Sequence, residues 1–160
     1  MKIIGSITRP SRRRRGGGIV VEMAFILPMF LSFLFGIVEY GRLVMMLQLI
    51  TNAAREGARV AAFSVGTNIT TAQIQTIVQN SMAGFTIQGQ TISIYKYNPA
   101  NPADQTQSWT TAQAFTDEVA VQVSGTFTSM LPLYEINPLS IVLPQAVPIK
   151  ITAIMEAESG

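Results

Sequence analysis

One carboxylate, Glu22, stands four residues after the triplet Gly16–Gly18 and seven after the cation run Arg12–Arg15, inside a segment that is otherwise apolar. A charged group bordering hydrocarbon is costly unless it is hydrated at an interface or paired. On charge placement alone, Glu22 reads as a hydrated carboxylate at a membrane surface. The other acids do not gather into a reactive set. Asp117 and Glu118 are adjacent, so on a strand they point to opposite faces and make a poor acid–base pair. Asp104, Glu135, Glu156 and Glu158 are dispersed, without metal-ligand spacing. Gly16–Gly18 lacks the preceding strand and the following lysine and hydroxyl of a phosphate-binding loop. Histidine and cysteine are both absent. Disulfides, thiolate or imidazole metal sites, and catalysis by a thiol or an imidazole fall away with them. The expectation is a protein that is not an enzyme, with no catalytic residue, no metal and no cofactor.

The elements around Glu22 indicate what it is for. Of 160 residues 48% are hydrophobic, more than a soluble domain of this length needs. Six of the eleven cations precede residue 18, and none of the nine acids does. Residues 18–160 hold five Lys/Arg against nine Asp/Glu, a net charge of −4. The basic character therefore belongs to a leader, residues 1–17, and no nucleic-acid partner is expected from an acidic body and an arginine run without aromatics. Met23–Val38 is a run of sixteen uncharged residues. A helix over 19–38 spans roughly 30 Å at ~1.5 Å per residue, enough to cross a bilayer once. The arginines before it place the N-terminus in the cytoplasm and the remainder outside. An ordinary cleaved secretory signal is disfavoured, because the apolar run is long, contains Pro28 and ends without a small-x-small site. An uncleaved signal anchor fits the hydropathy equally well. Pro28 removes one helix hydrogen bond and is expected to kink or locally open the helix.

Nothing stops this helix at Glu39, which can pair with Arg42 three residues on. The periodicity extends it over residues 18–63, with Ala53, Gly57 and Ala61 on one ridge and Ala54, Ala58 and Ala62 on the next. Small residues at this spacing admit another helix or sheet close to the backbone. They serve as a docking stripe, or they pack on the chain's own C-terminal domain; the spacing fits both. Glu56 and Arg59 can pair, whereas Arg55 and Arg59, four apart, repel unless a partner or Glu56 relieves them. Residues 64–160 read as an α+β domain outside the membrane. A short helix capped at Thr70 or Thr71 carries Ile74, Ile77, Val78 and Met82 and ends at Gly84. Strands are expected over Thr91–Tyr97, Glu118–Thr128 and Ile149–Met155, each with one apolar face. The Asn98–Gln113 loop is long, with Trp109 as its anchor, and the four prolines of Leu131–Pro148 forbid one regular element there.

Two sets of residues carry a family resemblance. A basic leader, Gly17-Gly18, then Glu22 and an apolar helix resembles the processing site of type IV prepilins. Glu22, Leu27-Pro28, Gly36-Ile37-Val38-Glu39-Tyr40-Gly41-Arg42 and Asn52-Ala53-Ala54-Arg55-Glu56-Gly57-Ala58-Arg59 resemble the signature of the TadE-like family of tight-adherence pilus assembly proteins. Met23 departs from it, since an aromatic more often follows the glutamate. The resemblance implies a pilin-like architecture: a long N-terminal transmembrane helix continuing into a packed helix, with a small antiparallel C-terminal sheet. It also implies cleavage between Gly17 and Gly18 by a prepilin peptidase, which makes Glu22 the fifth residue of the mature chain. In such assemblies that glutamate pairs with the terminal amine of a neighbouring subunit. The implied partners are the peptidase, other pilin-like subunits, inner-membrane pilus assembly proteins and membrane lipid. The implied place is the bacterial inner membrane or a surface pilus. The alternative is an uncleaved single-pass anchor that presents its outer domain to other envelope components.

Overall fold

The computed structural model describes residues 16–82, 84–85, 87–130 and 146–158. The expected leader up to residue 15, and residues 131–145 of the proline-rich stretch with Glu135, lie outside them. In chain order come α1 (Gly16–Phe63), α2 (Thr71–Ser81), β1 (Gln88–Tyr97), a 3-10 turn at Trp109–Thr111, β2 (Glu118–Thr128) and β3 (Ala146–Glu156). This is the α+β chain expected, with α1 starting two residues early. The chain's contacts fall into two units, up to Phe35 and from Gly36 onward. In the first unit α1 exposes large apolar side chains on all sides, among them Phe25, Met29 and Phe33. Among the described residues α1 is the one helix long and apolar enough to cross a membrane, and its apolar window is not buried within the protein. The helix runs unbroken through Pro28, and the Ser32 hydroxyl donates to the Pro28 carbonyl oxygen at 2.8 Å.

In the second unit the sheet has the order β1-β2-β3, antiparallel throughout. Ile94 sits opposite Val121 and Ile151 opposite Val123, so the alternating apolar positions share one face. That face packs with Ile74 and Val78 of α2 and with the small residues of α1. Thr70 caps α2 through a capping box with Gln73, which satisfies two otherwise orphaned amides. The chain leaves α2 at Met82, and Gly84 takes the left-handed conformation, φ +79°.

Two strands are longer than the alternation suggested. β1 begins at Gln88, with a register irregularity before Thr91. β3 begins at Ala146 and includes Pro148, opposite Thr126. Proline has no amide to donate, and it is accommodated because β3 is an edge strand with one side unpaired in the sheet. The opposite face of the sheet is also covered. Tyr95, Ala120 and Gln122 are buried there, and Gln105 of the long loop donates to Gln122 Oε1 at 3.0 Å. The same loop passes the edge of β1, where the Lys96 amide donates to the Gln107 carbonyl oxygen. It ends at buried Trp109, whose Nε1 donates to Thr71 Oγ1 at 3.1 Å. Lys96 Nζ lies 2.7 Å from Asp117 Oδ2. This ammonium, together with the Gln113 amide, holds the Asp117 carboxyl below the usual carboxylate range.

At Gly57 the surroundings come close to the backbone of α1: an added Cβ would overlap Val78 Cγ2 and lie 3.3 Å from Val121 Cγ1. Gly41 faces open space. Gly41→Ala is therefore expected to stabilise the fold by about 1 kcal/mol, the helix-propensity gain. Gly57→Ala is expected to destabilise it by about 1 kcal/mol, because overpacking of about 1–3 kcal/mol exceeds that gain. Denaturant titration of the two variants in detergent checks the opposite signs. For Asp117, the folded pKa is the lower one, so its contribution is present above the unfolded value and disappears as pH falls through the folded value. Asp117→Asn should lower the melting temperature at neutral pH and flatten its decline below the ordinary aspartate range, as measured by thermal scans across pH.

Candidate assembly site

α1 carries all of the residues singled out for assembly, and the structure sorts them into three environments. Gly17 and Gly18 lie in its first turns with nothing within 4 Å of an added Cβ. Glu22 follows one turn later, exposed, and no salt bridge reaches it among the described residues. Ala53, Ala54, Gly57, Ala58 and Ala61 are all buried within the second unit, between α2 and the core face of the sheet. The structure brings these five together and leaves Gly17, Gly18 and Glu22 exposed on the helix.

Between these groups lies an arrangement that sequence reasoning saw only in part. Glu39 and Arg42 pair at 3.1 Å, as their spacing allows. Glu39 is nevertheless buried, 5% exposed, and its Oε1 also accepts the Met130 amide at 3.2 Å. Arg42 Nη2 donates to the Thr128 carbonyl oxygen at 2.7 Å, and the guanidinium lies 4.7 Å from the centroid of the Phe127 ring. The pair thus fastens α1 to the end of β2 and to Met130 just beyond it, some ninety positions away in sequence. Charge-assisted hydrogen bonds and a cation–π contact are the stronger kinds of polar contact. The site is not fully satisfied: among the described residues, Arg42 Nε and Thr128 Oγ1 are buried without a hydrogen-bond partner. A cavity of about 430 Å³ adjoins it, lined by Arg42, Met46, Phe85, Phe127 and Met130 among others. A carboxylate and an arginine three apart, just after a membrane-length apolar run, were the available signal; their distant partners had none.

Glu56 and Arg59 form the second pair, with two contacts at 2.6 and 3.0 Å. The hydrogen bond from Arg59 holds the Glu56 carboxyl below its usual range. Both side chains are well exposed. Arg55 makes no ion pair among the described residues. No group of three or more acids that could hold a metal occurs among them either.

The helix that holds Gly17, Glu22, the Glu39–Arg42 pair and the alanine ridges is also the segment that matches a known family. The model of the TadE-like protein family matches residues 17–59. Residues 17–59 are TadE-like. The family is one of structural pilus components, and the match points to a pilin-like component of a tight-adherence pilus. No curated protein matches the chain, and no solved structure does. The TadE-like segment ends four residues before α1 does, so the family pattern covers the helix and stops short of α2 and the sheet. One candidate membrane helix and this family relationship fit a membrane-anchored, single-pass protein.

Within the TadE-like segment the two ion pairs should behave differently. Arg42→Ala strands a buried carboxylate and is expected to cost about 2–4 kcal/mol. Arg59→Ala removes a solvent-exposed partner and is expected to leave stability unchanged within error. Urea unfolding of the detergent-solubilised chain, followed by Trp109 fluorescence, separates the two.

Proposed function

We propose that the chain is a pilin-like subunit or assembly factor of a tight-adherence pilus or related secretion system, matured by a prepilin peptidase between Gly17 and Gly18. It spans the bacterial inner membrane once, with its N-terminus cytoplasmic and residues 64–160 outside. The observation that carries this reading is the TadE-like match over residues 17–59, on a helix whose apolar window finds no cover among the described residues. Cutting after Gly17 frees a new amine at Gly18, four residues from Glu22. In a bundle of such helices, the Glu22 carboxylate of one subunit neutralises the terminal amine of the next. Burying a lone carboxylate at mid-bilayer costs about 2.5–3.5 kcal/mol on insertion scales, so pairing favours docking in register. The partners of this reading are the peptidase, other pilin-like subunits, inner-membrane assembly proteins and lipid.

The second reading is an uncleaved single-pass anchor that presents its outer domain. It is favoured by α1 beginning at Gly16, which puts the proposed scissile bond inside a helix. Glycine makes local unwinding there cheap, at about 1 kcal/mol per residue relative to alanine. Intact mass of the chain purified from cells containing the peptidase decides between them: loss of residues 1–17 is expected, and a full-length chain supports the anchor. Gly17→Ala should block maturation, whereas Glu22→Ala should be cut normally but recovered poorly in assembled fibres. Normal recovery of the Glu22 variant would remove the pairing step.

A further inference from the structure

Two features of the second unit leave groups facing outward, and they complement each other. The first is a knob. Phe115 sits at the tip of the Gln113–Asp117 turn, its amide donating to the Ala157 carbonyl oxygen at 2.6 Å, and its side chain is 67% exposed. A few residues on, Glu118 and Glu156 face each other directly across β2 and β3, and neither has an ion-pair partner among the described residues. Like charges in this position repel, and a cation placed beside them relieves the repulsion. The second feature is a groove of about 360 Å³ along one flank of α1, lined by Val44, Leu47, Gln48, Thr51, Asn52 and Arg55. Val44 and half-buried Leu47 give it an apolar floor, and Arg55 supplies a cation that has no ion pair among the described residues. Arg59, the neighbouring cation, is already held by Glu56.

We propose that this groove receives the Phe115 knob of a second copy of the chain, with Arg55 set against that copy's Glu118 and Glu156. The charge complementarity selects a second copy, because one chain displays both the unpaired arginine and the opposed glutamates. Knob and groove are made of different residues, so the contact is heterologous: each copy gives its knob to one neighbour and its groove to another. Repeated without closure, such a contact builds an open helical filament. The inference rests on the assembly reading above and adds to it a contact outside the membrane helix.

The chain has no cysteine, so introduced thiols report contacts cleanly. Gln48→Cys and Thr116→Cys copies carrying different tags are made together in cells that assemble the full chain, then oxidised. A mixed disulfide stronger than either variant gives alone is expected. Arg55→Glu in the first copy should weaken it several-fold, and Glu118→Arg in the second should restore it. Phe33→Cys copies, tested in parallel, report helix association in the membrane. If Phe33→Cys copies cross-link while the mixed product is absent, the knob-and-groove contact is overturned and the assembly reading stands; if neither forms, both fall. Phe115→Gly supplies the control for misfolding. Phe115 has φ +61°, a left-handed conformation that glycine adopts without strain, so this variant should melt higher while losing the mixed disulfide. An undiminished disulfide in it would overturn the proposal.

Discussion

How near α1 can come to its neighbours is the constraint on which the second unit depends. Ala53, Ala54, Gly57, Ala58 and Ala61 project almost nothing from the helix surface, so Val78 of α2 and Val121 of β2 reach its backbone at Gly57. Larger residues here would move the helix outward and open voids in an interior that tolerates few. With the helix close, the alternating valines of β2 are wholly buried, and a three-stranded sheet, otherwise marginal, has the covered face it needs. α2 closes the remaining side of this core, and Trp109 pins the long loop to its first turn.

The Glu39–Arg42 pair acts at another point along the same helix. Glu39 would be expensive to bury alone, and its position is sustained by Arg42 and the Met130 amide. Arg42 in turn reaches the Thr128 carbonyl oxygen and the Phe127 ring. Both residues belong to the TadE-like segment, whereas their partners do not. The fastening therefore joins the matched helix to a part of the chain that the family model leaves unmatched.

Much of the architecture was legible because it follows from local patterns. The helix over 18–63, the capping of α2 at Thr70 and the apolar faces of β1, β2 and β3 each follow from spacings within a dozen residues. The start of β3 was not legible, because Pro148 argues against a strand until the strand is known to lie at an edge. Nor was the second covered face of the sheet, where Gln122 is buried by virtue of a hydrogen bond from Gln105, seventeen residues away. The spacing of the small residues on α1 was visible, but the same stripe serves a partner subunit or the chain's own sheet equally well.

By itself the sequence determined a membrane-length apolar helix with a single carboxylate near its start, an α+β remainder, and the lack of any histidine or cysteine chemistry. Those features depend on residue type and on periods of two or 3.6, which neighbouring positions alone encode. Tertiary structure decided that the alanine stripe lies in the chain's own core, that Arg42 bonds to the end of β2, and that Phe115 is left exposed at a turn. Each of these depends on segments far apart in the chain being brought together, and no local period specifies which ones meet.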